Sequence, residues 1–218
     1  MAKRFELIVF DWDGTILDSA AAIVSAIQSA ARDLGVAEPC EERARHVIGL
    51  GLGDAIRSVL PELPEERFGL LADRYRLHYL AGDRHLKTFP GIDSLLTALR
   101  RRGHRLAIAT GKSRAGLARA LEHTGLASFF ETSRCADECR SKPDPQMLEE
   151  IMTETAVLPG ATLMIGDTTH DLLMARQASV AGLAVTYGAH SRAVLESVGA
   201  FAMMDSVEEL GEWLTANA

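Results

Sequence analysis

Leu7-Ile8-Val9-Phe10-Asp11-Trp12-Asp13-Gly14-Thr15 joins a continuous apolar run to two aspartates and a glycine. Such a run, closed by a turn signal, reads as a buried strand that delivers its last residues into a loop. In extended geometry the side chains of Asp11 and Asp13 leave one side of the chain, and Trp12 leaves the other. Two carboxylates about 4 Å apart in an effective dielectric of about 20 repel by about 4 kcal/mol, so the pair needs a proton or a cation. A single aspartate at a strand end is ordinarily a turn or cap residue. The pair at the end of an apolar strand points instead to a divalent metal.

The same signature recurs downstream. Leu106 to Ala109 precedes Thr110-Gly111, Leu163 to Ile165 precedes Gly166-Asp167, and Leu183 to Val185 precedes Thr186-Tyr187-Gly188, each after a helical stretch. Strands alternating with helices predict an α/β fold with a Rossmann-like, doubly wound parallel sheet. From about Ser19 to Leu86 the pattern changes to helix after helix. Ile23, Ile27, Ala30, Ala31 and Leu34 share one face, with Ser19 as cap and Gly35 as stop. Further helices are predicted over Asp54 to Leu60 and Glu65 to Leu80. The chain returns through Phe89-Pro90-Gly91 before a helix around Leu95 to Arg101.

The chain has 218 residues, 47% of them hydrophobic and 24% charged, which is ordinary globular usage and excludes a disordered or disulfide-built protein. A formal charge of −7 disfavours nonspecific attraction to nucleic acid, so no nucleic-acid partner is expected, and the apolar run near the N-terminus is too short to span a membrane. Cys40, Cys135 and Cys139 are read as reduced thiols, and a cytoplasmic location is expected. A monomer or homodimer is expected.

Further carboxylates arrive at the same end of the predicted sheet. Asp167 and Asp171 follow the strand ending at Ile165, and ligands of parallel α/β sheets bind beyond the strands' carboxyl ends. Oxygen donors of this kind favour Mg²⁺, which shares itself with substrate phosphate. Alone, either residue is also explained as a helix N-terminal aspartate. Thr110 and Gly111 offer a hydroxyl and an amide suited to phosphate oxygens. Lys142, in Ser141-Lys142-Pro143-Asp144-Pro145, sits on a proline-stiffened segment that can deliver one ammonium, and Asp144-Pro145 starts a helix.

The ordered set Asp11-Trp12-Asp13-Gly14-Thr15, Thr110-Gly111, Lys142-Pro143 and Gly166-Asp167-Thr168-Thr169-His170-Asp171 resembles the four motifs of haloacid dehalogenase-type hydrolases. The likeness spans nearly the whole chain. It implies an all-α cap, residues 18–86, inserted in a core of residues 1–17 and 87–218, similar to the phosphoglycolate phosphatase-like subgroup. It further implies a Mg²⁺-dependent phosphatase acting on a small phosphorylated metabolite. Asp11 would be the nucleophile and Asp13 the acid and base. Asp11, the main-chain carbonyl of Asp13, and Asp167 would hold the metal, with Asp171 supporting. Thr110, Gly111 and Lys142 would bind the phosphoryl group. Dehalogenases of this fold lack the second aspartate, and phosphonatase-like members need a cap lysine, which is absent from Ser19 to Asp83. A β-phosphoglucomutase-like mutase, a pyrophosphatase or nucleotide phosphatase, and a noncatalytic binding protein are the rivals. Trp12 stands where Leu or Phe is usual, a departure that concerns packing.

Gly49-Leu50-Gly51-Leu52-Gly53 follows no predicted strand and lacks a Gly-Lys-Ser/Thr ending, so it reads as a flexible loop facing the site rather than a nucleotide loop, with Arg45 or Arg57 as possible substrate contacts. Arg100-Arg101-Arg102 complements a helix C-terminus. His170 is expected to turn away from the metal site, and Asp18 is either a helix cap or a hinge contact.

Overall fold

The computed structural model describes residues 4–218. Six parallel strands, β1 (Leu7–Phe10), β2 (Arg105–Thr110), β3 (Thr132–Cys135), β4 (Thr162–Gly166), β5 (Ala181–Val185) and β6 (Ala202–Met204), lie in the order β3-β2-β1-β4-β5-β6. β1 is central, with Val9 opposite both Ala107 and Met164. Its alternation divides the core. Ile8 and Phe10 pack on one face with Ile92, Leu96 and Leu210, while Leu7 and Val9 pack on the other with Met147, Ile151 and Met174. A strand covered on both faces must be apolar throughout, which is why Leu7–Phe10 shows no polar alternation.

The helices α5 (Ile92–Arg101), α6 (Arg114–Thr124), α7 (Gln146–Thr155), α8 (Thr169–Gln177), α9 (Arg192–Glu196) and α10 (Val207–Asn217) belong to the crossovers and the chain end. Because β1 neighbours β2 on one side and β4 on the other, its carboxyl end lies where the winding reverses, the place where such sheets form a crevice.

Between β1 and α5 come α1 (Ala20–Asp33), α2 (Glu41–His46), α3 (Leu52–Val59) and α4 (Phe68–Gly82), with no strand among them. This helical layer has its own apolar clusters, one of them built from Ala30, Ile56, Leu63, Leu71 and Ala72. The two connections to the sheet run side by side: Asp18 N–H donates to Lys87 O at 2.9 Å and Phe89 N–H to Ile16 O at 3.0 Å. Asp18 therefore serves as a backbone hinge contact, its side chain exposed.

Several expectations shift. Strands β3 and β6 were not expected: Thr-Ser-Arg-Cys is largely polar and Ala-Met-Met is short, because an edge strand pairs on one side only and needs no apolar run. The segment from Glu65 opens as a 3₁₀ turn to Arg67, and α4 begins at Phe68. Ser19 precedes α1 but does not cap it. Its hydroxyl donates to Asp13 instead. Gly35 takes a left-handed φ of 64° directly after the helix, as a stop should.

Candidate active site

Asp11 continues β1 into the crevice, its N–H donating to Ile165 O at 2.9 Å. Lys142 reaches it from the segment before α7, donating to Asp11 Oδ1 and to Asp171 Oδ1, both at 2.6 Å, and all three side chains are fully buried. The helix-cap and site readings of Asp171 turn out to be compatible. Its Oδ2 accepts from Thr168 N–H at 3.1 Å in a capping box at the start of α8, while Oδ1 takes the lysine. Asp167 Oδ1 accepts from the Thr15 hydroxyl at 2.8 Å and Oδ2 from Ala189 N–H at 2.6 Å. Gly14, at φ 85°, passes so close to Asp167 that any Cβ would overlap its carboxylate.

Burial pushes the carboxyl of Asp11 well above the usual range, with Lys142 pulling the other way. Burial and the neighbouring Asp171 push Asp167 up to about 7. Lys142 also loses hydration, but Asp11 and Asp171 outweigh that loss and raise it, so it stays an ammonium. Three carboxylates thus face one ammonium, and oxygens of Asp11, Asp167 and Asp171 lie within 4.8 Å of one another.

Asp11 Oδ2 is buried and meets no donor. An unpartnered buried carboxylate oxygen is costly, and a hard divalent cation beside Asp11 and Asp167 would satisfy it. The donor set therefore fits Mg²⁺. Asp171 already pairs with the Lys142 ammonium and caps α8, which suits a supporting place, whereas the donors to Asp167 are neutral and leave its charge for a cation.

Asp13 is placed differently from the simple expectation of two carboxylates facing one cation. Its Oδ1 meets the Ser19 hydroxyl at 2.7 Å and Lys112 Nζ at 3.0 Å, so each aspartate of the first motif has its own lysine. Trp12 is fully buried on the opposite side, edge-on to Phe130. Thr110 ends β2, buried, and its hydroxyl accepts from Lys112 N–H at 3.1 Å. Gly111 follows under the Gly49–Gly51 loop, shorter than expected because α3 begins at Leu52, and a Cβ there would strike the carbonyl oxygens of Gly49 and Leu50. The loop's Gly51 N–H also donates to Ser141 Oγ at 2.8 Å. The glycine loop lies against the site, as expected.

Lys112, Thr15 and Ser19 were missed by sequence reasoning. Lys112 directly follows Thr110-Gly111, and that adjacency was the available signal. Arg45 pairs with Glu41 at 2.8 Å and faces a different surface, whereas Arg57 lines the cavity above the site. His170 turns away from the acids, its Nε2 lying 2.8 Å from His46 O.

The sequence pattern of the haloacid dehalogenase-like hydrolases matches residues 8–185. A probable phosphatase, IndB, of Dickeya dadantii is 36% identical over 211 residues, covering 94% of this chain and 91% of its own. A phosphoglycolate phosphatase of Agrobacterium fabrum is 31% identical over 188 residues, covering 84% and 81%. A crystal structure described as a predicted phosphatase from Clostridium acetobutylicum superposes with a TM-score of 0.86 at 26% identity, covering 97% of this chain and 99% of that one.

Proposed function

The chain belongs to the haloacid dehalogenase-like hydrolase family, and from that premise we propose that it is a Mg²⁺-dependent phosphomonoesterase working through an aspartyl-phosphate on Asp11. The observation that carries this reading is the unpartnered Oδ2 of Asp11, beside an Oδ1 fixed by Lys142. The ammonium holds one oxygen, and the other is open to the cation.

The Asp11 carboxylate attacks phosphorus in line as the bond to the alcohol oxygen breaks, and Asp13 gives that oxygen its proton. Asp13 then takes a proton from water as the water attacks phosphorus and the bond to the Asp11 carboxylate breaks. Free phosphate leaves and Asp11 is restored. Lys142, the Thr110 hydroxyl and the Gly111 amide hold the phosphoryl oxygens, whose charge would otherwise repel the carboxylate. Asp11, Asp167 and the main-chain carbonyl of Asp13 would hold Mg²⁺, which would add to the neutralisation of those oxygens. Lys112 and Ser19 orient Asp13. Asp171 braces Lys142.

The helical layer, residues 18–86, acts as a cap that excludes water during transfer. The name of the Agrobacterium relative makes 2-phosphoglycolate the first ester to try. The test is phosphate release from a panel of phosphomonoesters with Mg²⁺ or with EDTA. The proposal expects metal-dependent release that falls by at least about 10⁴-fold in Asp11→Asn, the scale on which removing a nucleophile acts. Phosphate retained in an isomeric sugar phosphate would instead identify a mutase.

A further inference from the structure

We propose that the alcohol half of the substrate carries an uncharged aromatic ring, received by the cavity between the sheet and the helical layer. This rests on the phosphatase reading and names its substrate class. The cavity holds about 870 Å³ and reaches from Asp13 and Gly111 up between α1 and α4. Pockets of about 300–1,000 Å³ ordinarily enclose ligands of drug size. A two-carbon acid such as glycolate would leave most of the space to water.

The wall facing Asp13 is apolar and aromatic. Ile23 and Ile27 stand one turn apart on α1, with Val47 beyond α2 and Tyr75 and Tyr79 on α4. The two tyrosine rings are stacked, with centroids 5.8 Å apart and planes 21° apart. The Tyr79 hydroxyl is turned to Lys112 Nζ at 2.9 Å. An outer face of this stack, flanked by branched aliphatics, is a surface that a flat ring can cover by offset stacking, with Lys112 Nζ 4.7 Å from the Tyr79 ring centroid.

A carboxylate at the far end of the substrate would need a cation. Lys112, Arg57, Arg76, Arg119 and Arg140 line the cavity, and each already faces a carboxylate: Asp13 at 3.0 Å, Asp54 at 3.1 Å, Asp73 at 2.8 Å, Asp83 at 3.8 Å and Asp144 at 2.7 Å. A second anionic group would have to compete with these carboxylates for its counter-ion. An uncharged ring has no such requirement.

The test compares benzyl phosphate, ethyl phosphate and 2-phosphoglycolate as substrates of the full chain with Mg²⁺. Benzyl alcohol and ethanol are primary alcohols of similar acidity, so leaving-group reactivity does not decide between their esters. Alongside, benzylphosphonate and phosphonoacetate, which cannot turn over, are titrated calorimetrically. Expected is a kcat/KM for benzyl phosphate about tenfold or more above the other two, with benzylphosphonate binding tighter than phosphonoacetate by a similar factor. Tyr75→Ala should erase most of that preference through KM, and Tyr75→Phe should keep it. Preference for 2-phosphoglycolate and phosphonoacetate, or equal handling of benzyl and ethyl phosphates, overturns the inference. Tight benzylphosphonate binding without turnover of any ester would sustain the pocket assignment and sink the phosphatase reading. Should Tyr75→Ala fail to fold, the ester ratio and the two titrations on the unaltered protein decide the matter.

Discussion

Asp11, Lys142, Asp167 and Asp171 are fully buried and tied by charged hydrogen bonds, whereas the wall above them, Ile23, Ile27, Val47, Tyr75 and Tyr79, is held mainly by apolar packing. Asp11 and Asp167 directly follow strands, Asp171 opens α8 and Lys142 precedes α7, so the sheet and the helices packed on it fix their geometry. The second hangs on helices tied to the sheet through the paired stretches near residues 16–18 and 87–89. A charged floor of that kind tolerates no change of residue type, because each removal strands a partner. An apolar wall accepts exchanges of similar volume. Chemistry common to the family can therefore reside below and choice of substrate above.

The sharpest way to break this contrast is to unbalance the floor. Lys142→Met leaves Asp11 and Asp171 buried without their ammonium, and a loss of about 3–5 kcal/mol in denaturant unfolding is expected. Loss within experimental error would mean that the floor is softer than its burial implies. Tyr75→Phe, by comparison, should shift stability by less than about 1 kcal/mol, since the ring and its stacking remain.

Gly111→Ala tests where floor and layer touch. The new methyl meets the Gly49 and Leu50 carbonyls, which are backbone and cannot rotate away. A cost of about 1–3 kcal/mol and a lowered kcat are expected. An unchanged enzyme would show that the glycine loop stands off the site in solution.

The joint between the two regions also carries a pH dependence. His190 Nδ1 accepts from Thr169 N–H at 3.1 Å, and its ring stacks on His46 of α2 at 5.0 Å. Burial, then the neighbouring His170, holds it down to about 4, below its ordinary 6.5. A depressed folded value means that the unfolded chain takes the proton first. The contribution is therefore complete above pH 6.5 and is lost as pH falls toward 4, amounting to about 2 kcal/mol at pH 5. Melting curves at pH 7.5 and 5 should differ less in His190→Gln than in the unaltered protein. The smallest effect is expected on the outer face of the layer: Arg45→Ala removes a solvent-facing pair with Glu41, and stability should move by less than about 0.5 kcal/mol with kcat/KM unchanged.

The floor was legible in the sequence because its chemistry is local. Asp11 and Asp13 are two residues apart, Asp167 and Asp171 four, and each group ends an apolar run that had to be a buried strand. Lys142 was legible through the prolines around it. The second ammonium was harder to see, since its signal was only adjacency to Thr110-Gly111, and the fold alone brings Asp13 and the Tyr79 hydroxyl to it. The wall was not legible at all as a wall. Ile23, Ile27, Tyr75 and Tyr79 sit on helices whose spacing gives a face, but which side of that face meets the cavity depends on how α1 and α4 pack. The edge strands β3 and β6 escaped for a related reason, because a strand with one neighbour carries a weaker pattern than one with two.

Acid-quenched protein, caught during turnover of a hydrolysed phosphomonoester with Mg²⁺ and digested for mass spectrometry, tests the central claim most directly. The account predicts a hydroxylamine-labile phosphoryl group on the peptide that contains Asp11, absent from Asp11→Asn. Turnover with phosphate on another residue, or with the Asp11 peptide unmodified under conditions of burst release, would contradict it.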